Sequence, residues 1–182
     1  MPPSTPHATI ARPGPDEYAP YYERYIRLVA PDDALEALIA QAEPTARCLG
    51  AVDEAGALRR YAPGKWTVKQ VVGHVVDSER VFAYRALRIA RGDATPLPGF
   101  DENRFAEHGD FDARPLADLV LEYRAVRAAS IALFASLSEV TLGRRGVAND
   151  TPVSARAIAW MIAGHELHHR RVLIERYGLP EA

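Results

Sequence analysis

Residues 65–92, "KWTVKQVVGHVVDSERVFAYRALRIARG", constrain the fold more than any other stretch, because they specify one long helix together with both of its ends. Thr67 and Gln70 form a T-x-x-Q capping box, in which each side chain satisfies a backbone N–H that the first helical turn leaves without a partner. Gly92 stands where a left-handed residue stops a helix. The pattern predicts a helix from Thr67 to about Arg91. Such an element buries its apolar stripe only against partners, so the rest of the chain must supply them.

Three further segments share the helical period. From Asp32 onward, Leu35, Leu38, Ile39, Ala42, Ala46 and Leu49 recur at helical spacing, with Asp32 or Asp33 placed as the cap. Pro44 lies inside this segment and predicts a kink or a break. "ARPLADLVLEYRAVRAASIALFASLSE" reads as a third long helix, with Pro115 at its first turn and Leu116, Leu119, Val120, Tyr123, Phe134 and Leu137 along one stripe. "TPVSARAIAWMIAGHELHHRRVLIERYG" reads as a fourth, opening between Thr151 and Ser154 and ending at Gly178 before Pro180. Ahead of all four, "DEYAPYYERYIRLV" predicts a short helix, limited by Pro20, whose tyrosines pack onto the others. No stretch shows strand alternation with hairpin signals. The expected fold class is therefore all-α, a four-helix bundle. Residues 92–114 form an unusually long connection, as a crossover between parallel second and third helices requires, whereas the connections near 52–66 and 139–153 suit antiparallel neighbours.

The expected organisation is an extended or disordered lead-in over residues 1–14, which holds four prolines, and a single domain over residues 15–182. With 22 basic and 24 acidic residues and a net charge of -2, the chain lacks the electrostatic footprint of a nucleic-acid or anionic-membrane binder. The expected partner is a small molecule or another protein chain. Cys48 is the only cysteine, so no disulfide framework is available within one chain and a cytoplasmic setting is expected. Neither a signal peptide nor a membrane span is expected.

His165, Glu166 and His169 spell H-E-x-x-H, the zinc-protease signature. On a wheel of about 100° per residue, Ile158, Met161, Ile162, His169 and Val172 all fall within roughly 60° of His165, so both histidines face the interior. Each then finds a hydrogen-bond partner, or the two share a metal; both readings stay open. His74 is the best candidate for a third ligand. It sits at the margin of the apolar arc of its own helix, beside Gln70, Ser78 and Arg85, as a cavity-facing residue would, or as a residue at the boundary between core and solvent would. If the three converge, three neutral imidazoles surround a divalent ion, zinc or nickel, which lowers the pKa of water or holds a thiolate. His168 lies about 60° to the other side of His165.

A protease is excluded on spacing. The metzincin pattern wants glycine at Val172 and histidine at Glu175, and neither is present. Glu175 lies about 15 Å along the helix from His165, too far to share its metal. Glu166 points toward the edge of the stripe.

Together, "KWTVKQVVGHVVDSE", "GHELHH", "RPGPDEYAPYYERYI" and "PGFDENRFAE" resemble the DinB/YfiT-like superfamily over nearly the whole chain. The resemblance implies an up-down-down-up bundle, a homodimer and a divalent metal on His74, His165 and His169. It also implies metal-dependent chemistry with a low-molecular-weight thiol, as in bacillithiol S-transferases and mycothiol-dependent maleylpyruvate isomerase. Asp77 and Glu166 are then candidates to orient an imidazole or accept a proton, against the reading that both are solvated carboxylates. Arg127 and Tyr123 on the third helix are candidates for substrate recognition, as are Asp101 and Arg104 in the crossover; Arg127 otherwise pairs with an acid, and the crossover pair otherwise belongs to a surface loop. The competing functions are a metal-dependent hydrolase using water and a non-catalytic dimeric binding or stress-response protein with a structural metal.

Overall fold

The computed structural model describes residues 9–30 and 32–181. A 3-10 turn, Pro20–Tyr22, leads into α1 (Glu23–Ile26), followed by α2 (Ala34–Gly50), α3 (Glu54–Ala57), α4 (Val68–Ala90) and α5 (Glu102–His108). A second 3-10 turn, Phe111–Ala113, precedes α6 (Leu116–Ala135), α7 (Glu139–Leu142), β1 (Arg145–Ala148), β2 (Thr151–Ser154) and α8 (Ala155–Tyr177). The long helices α2, α4, α6 and α8 pack together as a four-helix bundle, and α1 lies against α8. No described helix is long and apolar enough to cross a membrane.

Local chemistry sets the helix ends. Thr67 Oγ1 accepts from the Gln70 N–H at 3.0 Å while Gln70 Oε1 accepts from the Thr67 N–H at 2.9 Å, closing the capping box of α4. A cap of this kind contributes about 1 kcal/mol. Asp33 caps α2, Ser154 caps α8, and Gly178 ends α8 at φ 69°. α2 runs without a break through Pro44, contrary to one of the two outcomes its ring suggests. The reason is tertiary: Gln41, Thr45, Ala46, Cys48 and Leu49 are buried on either side of it, so packing offsets the lost backbone bond.

One further expectation is corrected. The stretch before α8 holds a two-stranded antiparallel hairpin rather than only the start of a helix, with Arg145 opposite Ser154 and Ala148 opposite Thr151. Its two-residue turn, Asn149–Asp150, has φ of 52° and 57°, the left-handed geometry that matches strand twist in tight hairpins. The strands are four residues each, too short to reveal an alternation. The crossover joins this hairpin, since the Leu97 N–H donates to the Val147 carbonyl and the Asn149 N–H to the Leu97 carbonyl, both at 2.9 Å. Of the proposed lead-in, residues 1–8 lie outside the described residues. Ile10, within it, is fully buried, and Trp160 Nε1 donates to the Ile10 and Ala11 carbonyls at 3.0 Å, so bundle packing begins before residue 15.

The core divides into two apolar clusters. One gathers Leu35 and Leu38 of α2, Phe82 and Ile89 of α4, Phe134 of α6, and Ile158 and Trp160 of α8. The other gathers Cys48 and Leu49 of α2, Val72 of α4, Leu119 and Tyr123 of α6, and Leu173 and Tyr177 near the end of α8. Between them in sequence on every long helix lie buried polar residues: Gln41 and Thr45, Ser78 and Glu79, Arg127 and Ser130, His165 and Glu166. A mid-bundle polar layer this deep requires partners for its members, and that requirement shapes the site.

Candidate functional site

His74, from α4, meets His165 and His169, from α8. The Nε2 atoms of His74 and His169 each lie 3.1 Å from His165 Nε2, and one ring nitrogen from each of the three falls within 4.8 Å of the others. Hydrogen bonding alone does not account for this geometry. A neutral imidazole nitrogen either carries a proton or accepts one, so His165 Nε2 cannot satisfy two neighbouring Nε2 atoms well. Three lone pairs around a divalent ion do account for it, because metal–nitrogen bonds of about 2.0–2.1 Å place two ligand nitrogens roughly 3 Å apart. Burial holds all three histidines neutral: it pushes the His74 pKa down to about 4 and those of His165 and His169 well below the ordinary histidine value, with the neighbouring histidines adding to the effect. Neutral imidazole is the form that ligates metals.

These rings form one end of a cavity of about 600 Å³. α4 contributes a single stripe to its wall, His74, Ser78, Phe82 and Arg85, at the spacing of one helix face. Ser78 Oγ lies 3.5 Å from His74 Nδ1, a long contact on the side of the ring away from His165. The Trp66 ring sits 4.8 Å from the His74 ring, and Tyr25 packs edge-on against both His165 and His168, with ring centres 5.3 Å apart in each case. Tyr22 and the crossover residues Phe100 and Glu102 complete the wall with the hairpin's Asn149 and Thr151. Ser78 and Arg85 follow from the wheel of α4, where they stand beside His74. The aromatic wall carries no such signal, because it comes from segments whose approach depends on how the crossover and the 3-10 turn dock.

The remaining candidates are placed elsewhere. Glu166 is 1% exposed rather than at a solvated edge. The first half of α8 is enclosed by α1, α2 and α4, so nearly every face of it is interior. Its carboxylate accepts from Thr45 Oγ1 at 2.5 Å and Tyr123 OH at 3.0 Å, and pairs with Arg127. Arg127 also forks onto Glu79, Nε to Oε1 at 2.9 Å and Nη2 to Oε2 at 2.8 Å. Arg127 and Tyr123 therefore serve this buried network and do not border the cavity. The network touches all four long helices and fixes the rotation of α8, which aims the adjacent His165 at His74.

Asp77 is half-buried, which raises its carboxyl pKa despite Arg80, 3.5 Å away. It borders a shallow surface depression with Asp101, Arg104, Phe105 and His108, separate from the histidine cavity. Asp101 caps α5 by accepting from the Asn103 and Arg104 N–H groups, which turns its carboxylate toward its own helix. Its chain neighbours Phe100 and Glu102 face the cavity instead.

Comparison with known proteins places residues 34–173 in a match to the sequence profile of the DinB superfamily. A curated protein of Oceanobacillus iheyensis, described as a "putative metal-dependent hydrolase", is 26% identical over 113 residues, 61% of this chain and 64% of that protein's length. Among solved structures, YfiT from Bacillus subtilis, described as "a probable metal-dependent hydrolase with an unusual four-helix bundle topology", has a TM-score of 0.66 at 18% identity, covering 93% of this chain and 95% of YfiT. A mycothiol-dependent maleylpyruvate isomerase has a TM-score of 0.66 at 17% identity, covering 80% of this chain and 60% of the isomerase.

Proposed function

This chain belongs to the DinB superfamily, and from that membership together with the cavity we propose that it is a divalent-metal-dependent enzyme acting on a small molecule. His74, His165 and His169 would hold the ion, zinc or nickel by the chemistry of an all-imidazole donor set. The observation that carries the proposal is the joining of three mutually unsatisfiable Nε2 atoms to one end of an open cavity. A structural metal would be better served by a closed site.

When bound, the cation supplies positive charge that favours the anion of a thiol or of water beside an electrophile. The chain's own residues do the rest. The buried Arg127–Glu166–Glu79 network holds α8 in register, Ser78 sits against the far nitrogen of His74, and Tyr22, Phe82 and Phe100 keep one wall apolar. Activation of a low-molecular-weight thiol is the leading form of the reaction, supported by the fold shared with the mycothiol-dependent isomerase. Use of water is the second, supported by the descriptions of the Oceanobacillus protein and YfiT.

The proposal includes an up-down-down-up order of the long helices. It is supported by contacts that rise together along α4 and α6, Lys69 with Arg114 just ahead of α6 and Glu79 with Arg127, and that oppose in α2 and α6, Leu38 with Arg127 and Glu43 with Arg124. It also includes a single domain, a homodimer and a cytoplasmic setting, the last supported by a lone thiol, Cys48, that is buried.

Metal analysis of tag-free protein tests the core of the reading. Wild type is expected to carry stoichiometric metal under replete conditions and His165→Ala to lose it; wild type without metal would overturn the proposal. Turnover of a generic electrophile only when a thiol is added selects the transferase form, and turnover without thiol selects hydrolysis. Analytical ultracentrifugation reads the dimer.

A further inference from the structure

Among the described residues Arg85 is the one arginine or lysine of the cavity wall, and the three-histidine site leaves it without a task. It lies eleven residues beyond His74 on the same stripe of α4, about 16 Å farther along the helix axis. Its side chain is 4% exposed, yet it borders the cavity. Nη2 donates to the Pro98 carbonyl at 2.6 Å, and the guanidinium carbon lies 5.9 Å and 5.7 Å from the ring centres of Phe82 and Phe100. Among the described residues no carboxylate comes within ion-pair distance of it. Glu102, which borders the same cavity, is exposed.

Arg127 shows the usual arrangement for a cation at this depth, with two carboxylates and a backbone carbonyl around it. A buried guanidinium without a counter-charge is costly, and its planar fork of five donors is matched to a two-oxygen anion. One carbonyl occupies one of those donors. Burial in aromatic surroundings pushes the Arg85 pKa down, though an arginine stays charged in a protein.

We propose that Arg85 is the carboxylate-recognition end of the cavity, and that the small molecule it takes carries one carboxylate at this end and its reacting group at the histidine end. Tyr22, Phe82 and Phe100 provide the apolar wall between, and Asn149 and Thr151 add neutral hydrogen-bonding groups beside it. A single cation with an acid on the same rim favours a monoanion over a dianion such as phosphate. That the carboxylate compound is the substrate rests on the metal-enzyme reading; the anion site itself does not.

The test is calorimetric titration of metal-stripped protein with phenylacetate and 4-phenylbutyrate, each beside its carboxamide, and separately with inorganic phosphate. Wild type is expected to bind at least one acid about tenfold or more tighter than its amide, the effect of one charge-assisted hydrogen bond, and Arg85→Gln to abolish that difference. Equal affinity for acid and amide in wild type, no binding of either acid, an unchanged ratio in Arg85→Gln, or tighter binding of phosphate would each overturn it. The wild-type comparison needs no variant, so misfolding of Arg85→Gln cannot shield the idea. Metal content, measured independently, reports on the three-histidine reading alone.

Discussion

At the scale of single residues, the site depends on which polar groups the interior leaves paired. Arg127 balances two carboxylates that are otherwise buried together, Glu79 and Glu166. Arg127→Leu strands both, and a loss of about 3–5 kcal/mol in unfolding free energy is expected. Glu166→Gln leaves the Arg127–Glu79 pair intact and can still turn its amide oxygen to Tyr123 and Arg127 and its N–H to the Thr45 hydroxyl, which can accept, so about 1–3 kcal/mol is expected. Denaturant titration of the two variants measures the difference; an equal cost would show that the network does not act as described. Glu166, which makes H-E-x-x-H recognisable, thus works one layer behind the histidines, as part of what aims them.

Secondary-structure elements meet the site through close backbone approaches. α1 crosses α8 at Gly164, where an added Cβ would overlap the backbone carbonyl of Tyr25, the residue whose ring packs on His165. On α4, the atoms nearest a Cβ added at Gly73 belong to the side-chain ring of Phe111. Backbone cannot rotate out of the way, whereas a ring can. Gly164→Ala is therefore expected to destabilise by about 1–3 kcal/mol and Gly73→Ala by less, with the corresponding order of melting temperatures in a thermal scan. The reverse order would argue against tight docking of α1. The hairpin belongs to this scale too, since Asn149 brings the turn into the cavity wall while Gly99 makes room for it.

For the whole molecule, the neutral histidine cluster links stability to pH. The His74 pKa is lowered to about 4 from an ordinary 6.5, and those of His165 and His169 move the same way. Between the folded and unfolded values the unfolded chain binds more protons, so stability rises with pH across that window. Metal-stripped protein is expected to lose stability progressively as pH falls from about 6.5 toward 4, and metal-loaded protein to lose its ion in acid because protons compete for the ligands. Denaturation midpoints at pH 7.5, 6 and 5 check this; midpoints independent of pH would contradict the burial of neutral imidazoles.

The helices were legible because their signals are local: a capping box at Thr67 and Gln70, a stop at Gly178, and periodic apolar residues between. The inward direction of His165 and His169 was legible for the same reason, since spacing within α8 decides which face each imidazole takes; for His74 spacing left two positions open, and the resemblance implied the third member. Burial of Glu166, engagement of Arg127 by acids and exclusion of Asp101 from the cavity were not, because each depends on what a second or third element places opposite. A wheel describes one helix against an unspecified interior, and it put Glu166 at an edge that α2 and α6 in fact enclose. The sequence by itself determined the long helices and the inward direction of His165 and His169. Only the tertiary structure decided which charges are paired, and so that Arg127 is spoken for while Arg85 is left facing the cavity.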